Sequence, residues 1–127
     1  MTMGKTALFV YGTLKRGFSN HAMLAGQEFV GAARTLPRYR LLDHGPHPCL
    51  VEAVQAGRSI RGEIWNVDAA TLDRLDEFEE VDHLFSRREI ALVDTSTTVY
   101  AYFYRGDATG LPDCLDWWSE PEASAGR

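Results

Sequence analysis

A chain of 127 residues with 45% apolar and 24% charged content has the length and composition of one globular domain built on a single core. Its net charge of −5, with the basic residues scattered, excludes a general surface for nucleic acid or acidic membranes, and no apolar run approaches the ~20 residues of a membrane span. Two cysteines, Cys49 and Cys114, are too few for a disulfide framework and are expected as free thiols; with no long apolar stretch at the N-terminus, the expected location is the cytoplasm.

The first element is the apolar run Leu8-Phe9-Val10-Tyr11, which stops at Gly12 and reopens as the turn Thr13-Leu14-Lys15-Arg16-Gly17. Aromatic and β-branched residues closed by a glycine predict a buried strand. With no Cβ at Gly12, the N–H groups of Gly12, Thr13 and Leu14 can converge on an anion or a carbonyl oxygen, and Lys15 and Arg16 would add positive potential at the mouth. The plain alternative is an ordinary glycine turn with two solvated cations. Two nucleotide motifs fail here: Gly4-Lys5-Thr6 has too little chain before it for a phosphate cradle, and Gly12 to Gly17 is followed by Phe18-Ser19 where Lys and a hydroxyl residue should stand.

Asn20 to Gly26 is expected as a short helix with Asn20 as cap and Gly26 as terminator. Residues 28–36 and 39–42 read as strands interrupted near Pro37, and 43–50, rich in proline, glycine and histidine, as a loop. His44, His47 and Cys49 in this loop match no zinc spacing, so no metal site is expected, and Cys49 beside His47 lacks an orienting acid for an amidase. Residues 59–67 alternate as a strand does, with Ile60, Gly62 and Ile64 facing opposite Glu63, Trp65 and Val67.

Asp68 then caps a helix that begins Ala69-Ala70, with Val67 and Leu72 in hydrophobic-staple positions. Leu72, Leu75 and Glu79 lie at i, i+3 and i+7, so a carboxylate is predicted on the apolar face. An apolar setting and the nearby acids Asp76 and Glu80 would both raise its pKa. Alternatively the helix ends by Phe78 and residues 76–80 form a solvated acidic terminus. Further on, 89–93 and 97–104 read as a hairpin about Asp94-Thr95-Ser96, with Tyr100, Tyr102 and Tyr104 on one face and the Tyr104 hydroxyl in reach of a ligand at the strand end. Leu111 to Trp118 is expected as a short helix or lid. The reading gives one domain, 1–118, and a disordered tail, 119–127.

Tyr11-Gly12-Thr13-Leu14-Lys15-Arg16-Gly17 with Asn20-His21, and Leu75-Asp76-Glu77-Phe78-Glu79 in the expected order after it, resemble the two motifs of the gamma-glutamylcyclotransferase-like family, and most closely its gamma-glutamylamine cyclotransferase branch. Pro48, Leu50 and Arg61-Gly62-Glu63-Ile64 also fit the pattern, from about Thr6 to Arg105. The resemblance implies an α+β fold with a mixed, barrel-like sheet and a few short helices. It implies Glu79 as the catalytic acid-base residue, with Tyr11, Gly12, Thr13, Leu14, Lys15, Pro48, Leu50, Phe85 and Tyr104 at the substrate. Two positions depart from the pattern: Glu80 stands where the family usually has glycine, and Phe85-Ser86-Arg87 where the branch resembles Tyr-x-Arg.

The activity so implied is release of 5-oxoproline from a gamma-glutamyl amine or amino acid, by attack of the substrate's own α-amine on its γ-carbonyl. Such a reaction needs no metal or organic cofactor, and its partner is a small gamma-glutamyl molecule, with no nucleic acid or membrane; a monomer is the expected state. The competing reading is a non-catalytic gamma-glutamyl or small-acid binding module on the same fold.

Overall fold

The computed structural model describes residues 4–120, so most of the expected tail, 121–127, lies outside the described residues. Strand β1 (Thr6–Val10) is the centre of the molecule. It pairs antiparallel with β5 (Arg61–Val67) on one side and parallel with β7 (Tyr100–Tyr104) on the other. Adding β2 (Glu28–Arg34) beside β5 and β6 (Phe85–Glu89) beside β7 gives a mixed sheet in the order β2-β5-β1-β7-β6. A separate hairpin joins β3 (Tyr39–Asp43) to β4 (Pro48–Glu52), and one helix, α1 (Ala69–Phe78), follows β5. The α+β class with a mixed, barrel-like sheet is as expected: the strand order ends in β2 and β6, and just beyond them Thr35 bridges to Leu92, although the ladder is not a closed barrel.

Period-two alternation sends neighbouring side chains of a strand to opposite faces, and here both faces are covered. Phe9, Ile64, Ala101 and Phe103 meet the β3–β4 hairpin through Tyr39, Leu41 and Leu50. Leu8, Val10, Trp65, Val67 and Tyr102 meet Leu24, Leu75 and Phe85 on the face that α1 covers. That is why β1 reads as an unbroken apolar run. Gly62 belongs to this packing: a Cβ there would stand 2.5 Å from the Val10 carbonyl oxygen and 2.6 Å from the Phe9 ring.

Several local expectations change. Residues 21–24 form a 3₁₀ turn, and the Asn20 side chain caps nothing there; it donates instead to the Thr13 hydroxyl at 3.0 Å. The expected 43–50 loop shrinks to 44–47, because Pro48 opens β4 at a position where a missing donor costs little. The hairpin strand begins at Phe85, not Glu89, with Phe85 opposite Tyr104 and Glu89 opposite Tyr100. Leu111–Trp118 forms no helix; Asp113 bridges to Leu42, and Trp118 is buried in the core.

Helix α1 starts and stops by recognisable chemistry. The Asp68 carboxylate accepts from the Thr71 N–H at 2.8 Å, as an N-cap should. At the other end the helix stops at Phe78. Glu80 takes φ +50°, its N–H donates to the Glu77 carbonyl at 3.1 Å, and the Val81 N–H donates to the Asp76 carbonyl at 3.0 Å. Those paired bonds form a Schellman motif, whose left-handed position is usually glycine. A β-carbon there is strained, so Glu80→Gly is expected to stabilise the protein by about 0.5–1 kcal/mol, read as a higher urea midpoint at unchanged slope.

Candidate active site

Where β1 ends, the chain turns through Gly12–Lys15, with the Lys15 N–H donating to the Gly12 carbonyl at 3.1 Å. The Thr13 carbonyl accepts from the Asn20 N–H at 2.9 Å, and the Leu14 carbonyl accepts from His21 Nδ1 at 2.9 Å. Each carbonyl of the turn is therefore engaged, while the N–H groups of Gly12, Thr13 and Leu14 donate to no acceptor among the described residues. In a trans peptide the carbonyl of one residue points opposite to the N–H of the next, so the engaged carbonyls of Tyr11, which accepts from Lys15 Nζ at 3.0 Å, Gly12 and Thr13 aim the N–H groups of Gly12, Thr13 and Leu14 the other way.

These residues line a cavity of about 370 Å³, open mouth included, together with Phe9, Val10 and Tyr11 of β1 and its continuation, His47 and Pro48 of the hairpin, Phe85, Tyr102 and Glu79. Gly12 matters here for a reason beyond a ligand's approach: a Cβ would lie 2.8 Å from Pro48 Cγ, so only glycine lets the hairpin close over the turn. Tyr11 contributes its ring, since its hydroxyl donates to the Tyr102 carbonyl at 2.5 Å and locks β1 to β7. A wider depression adjoins the cavity, sharing Thr13, His47, Glu79 and Phe85 and extending over Pro46, Phe78 and Leu84.

Glu79 follows the last residue of α1, and its N–H still donates to the Leu75 carbonyl at 2.8 Å, which carries its carboxyl to the cavity face. The helix thus ends at Phe78, yet Glu79 is partly buried instead of solvated. Burial pushes its carboxyl up to about 7. The expected contribution from neighbouring acids is corrected: Asp76 is paired bidentately with Arg87 at 2.9 and 3.0 Å and accepts the Tyr102 hydroxyl at 2.7 Å, so its charge is compensated, and Glu80 is exposed.

The cavity brings together seven of the residues singled out in the sequence: Tyr11, Gly12, Thr13, Leu14, Pro48, Glu79 and Phe85. Three do not line it. Lys15 turns inward, fully buried, its ammonium donating to the carbonyls of Tyr11 at 3.0 Å and Trp118 at 2.7 Å beneath the rings of Phe18 and Trp117. Burial lowers its pKa to about 8, and it supplies no positive potential at the mouth. Leu50 is a core residue of β4, and the Tyr104 hydroxyl lies 3.4 Å from His44 Nε2, outside the cavity. His47 and Tyr102 are lining residues that the sequence reading did not assign. Tyr102 was accessible through its place in the tyrosine stripe; nothing local signalled His47. Burial pushes the Cys49 thiol up to about 12, which disfavours a cysteine nucleophile.

A mixed α+β sheet thus carries one carboxyl at a cavity, beside a turn whose backbone donors meet no acceptor among the described residues. The family model described as "Gamma-glutamyl cyclotransferase, AIG2-like" matches residues 8–120, and the chain belongs to that family. It is 38% identical over 110 residues to a Vibrio cholerae protein provisionally named a gamma-glutamylcyclotransferase, covering 87% of this chain and 93% of that one. It is 44% identical over 92 residues to gamma-glutamylaminecyclotransferase A of Danio rerio, covering 67% of this chain and 57% of the relative. The chain thus spans little more than half of that relative's length. Among solved structures, an AIG2-like protein from Mus musculus is similar with TM-score 0.79 at 28% identity, over 93% of this chain and 91% of that one. Among the described residues no helix is long and apolar enough to cross a membrane.

The raised Glu79 pKa makes a stability prediction. The native carboxyl titrates near 7 against an ordinary value of 4.5, so between these the unfolded chain binds fewer protons and stability falls as pH rises. Glu79→Gln removes that penalty. Urea midpoints of both proteins are expected to be similar near pH 5 and to favour the variant by on the order of 2 kcal/mol at pH 8, after discounting for partial exposure.

Proposed function

We propose that this protein is a gamma-glutamyl cyclotransferase that releases 5-oxoproline and a free amine or amino acid. The observation that carries the reading is the Glu79 carboxyl, raised to about 7 by burial, in a cavity it shares with the Gly12–Leu14 turn. Membership of the family and the names of its relatives support the enzyme class.

The substrate's α-amine attacks its own γ-carbonyl carbon. A C–N bond forms to close a five-membered lactam, and the γ-amide C–N bond breaks. Because nucleophile and electrophile are tethered, the protein needs no Ser or Cys nucleophile and gains mainly by holding the substrate folded. Glu79 takes the proton that the ammonium must lose and returns one to the leaving nitrogen. The pKa decides how well this works: an ammonium is a much weaker acid than an ordinary glutamate, and each unit by which burial raises the Glu79 carboxyl makes the transfer about 1.4 kcal/mol less uphill. N–H groups of Gly12, Thr13 and Leu14 are suited to a carboxylate or to the carbonyl oxygen as charge develops on it. Phe85 and Pro48 wall the glutamyl part, and the adjoining depression over Pro46, Phe78 and Leu84 has room for the amine half. No cofactor or second chain is required, so a monomer in the cytoplasm suffices.

The test is 5-oxoproline release from a panel of gamma-glutamyl amino acids and gamma-glutamyl amines. Wild type is expected to turn over at least one member, with kcat/KM rising as pH climbs toward about 7 and levelling above it, because the base form is needed. Glu79→Gln is expected to lower kcat by about 10²–10⁴-fold while still being stabilised by the same ligand. Absence of turnover by wild type on every member, with a melting shift from one of them, would establish a binding module instead.

A further inference from the structure

The turn between β3 and β4 holds a cluster that the cyclisation leaves without a role. Counted along the chain, His44, His47 and Cys49 match no zinc pattern, but the tight hairpin brings them together: His44 and His47 sit in the turn, with the His44 N–H donating to the His47 carbonyl at 3.2 Å, and Cys49 follows on β4 opposite Leu42. One donor atom from each of the three lies within 4.8 Å of the other two. Two imidazoles and a thiol form a borderline-to-soft donor set, suited to zinc and its neighbours and unsuited to magnesium or calcium. Tetrahedral Zn–N and Zn–S bonds put donor atoms roughly 3.3–3.6 Å apart, so the cluster needs to close by roughly 1 Å, within reach of side-chain rotation at exposed His44.

The surroundings resemble those of a metal-ligating histidine pair. His47 Nδ1 lies 3.3 Å from the Pro48 carbonyl, and a carbonyl only accepts, so Nδ1 carries the proton and Nε2 presents its lone pair. His44 Nε2 lies 3.4 Å from the Tyr104 hydroxyl, leaving Nδ1 for an ion. The edge-on packing of Phe85 holds the His47 ring, while exposed His44, stacked on it at 5.0 Å and tilted against Tyr104, is the ring that turns to meet an ion. An ion has a path in, through exposed His44 and through the cavity wall at His47.

We propose that His44, His47 and Cys49 form a three-ligand site for a divalent transition metal of the zinc type, with a fourth position left to water. The sequence spacing argues against a metal here, and the hairpin geometry reverses that reading. The site stands apart from the cyclisation, which uses no metal; its link to the cavity is His47, whose ring a bound ion would fix in the wall.

The experiment is a cobalt titration of the full chain after chelator treatment. One equivalent of Co²⁺ is expected to give the near-ultraviolet thiolate charge-transfer band and the visible bands of tetrahedral cobalt, both displaced by Zn²⁺. Cys49→Ser is expected to abolish the charge-transfer band. His44→Ala, at an exposed position, is expected to keep the wild-type melting temperature without metal and to lose at least about tenfold in affinity. Absence of the band in wild type, its survival in Cys49→Ser, or unchanged affinity in His44→Ala would each overturn the proposal.

Discussion

Strand β1 is obliged to serve two cores at once, and the rest of the fold follows from that obligation. Phe9 goes to the hairpin side and Leu8 and Val10 to the helix side, so neither face tolerates water and both need a cover. A strand buried this way has only its end at which to meet a ligand. The chain changes character there, at Gly12, where the hairpin's Pro48 approaches from one face and the end of α1 from the other. The cavity is the place where the two covers meet over a strand that has stopped.

Two carboxylates three residues apart at the end of α1 are treated in opposite ways. Asp76 has a bidentate guanidinium and a phenol, so its charge is compensated within the protein. Glu79 faces a largely apolar enclosure, where the charged form is disfavoured. Of the two, Glu79 is the carboxyl whose burial favours its protonated form. Tyr102 joins the two, since it donates its hydroxyl to Asp76 while its ring lines the cavity.

Much of this was legible in the chain. The helix start at Asp68, the facing of Glu79 and the burial of 8–10 follow from capping chemistry and periodicity, which are local rules. What was not legible depended on partners far away in sequence. Lys15 beside Arg16 reads as a solvated pair, and only Trp117 and Trp118 make it an interior residue. Residues 48–50 read as loop because prolines crowd the turn, whereas pairing with β3 makes them a strand. Tyr104 sits at the strand end as expected, but β3–β4 diverts its hydroxyl to His44. Glu80 is a different case: the position where the resemblance has glycine takes a left-handed conformation, with a residue poorly suited to it.

The buried ammonium of Lys15 bears on how the molecule is made. It joins a turn near the start of the chain to a carbonyl 103 residues later. Closing so distant a contact carries a loop-entropy cost that only the completed sheet offsets. A nascent chain emerging from a ribosome therefore has β1 and its turn long before it has the anchor that holds them. The turn waits for its anchor on a stretch of chain made 103 residues after it.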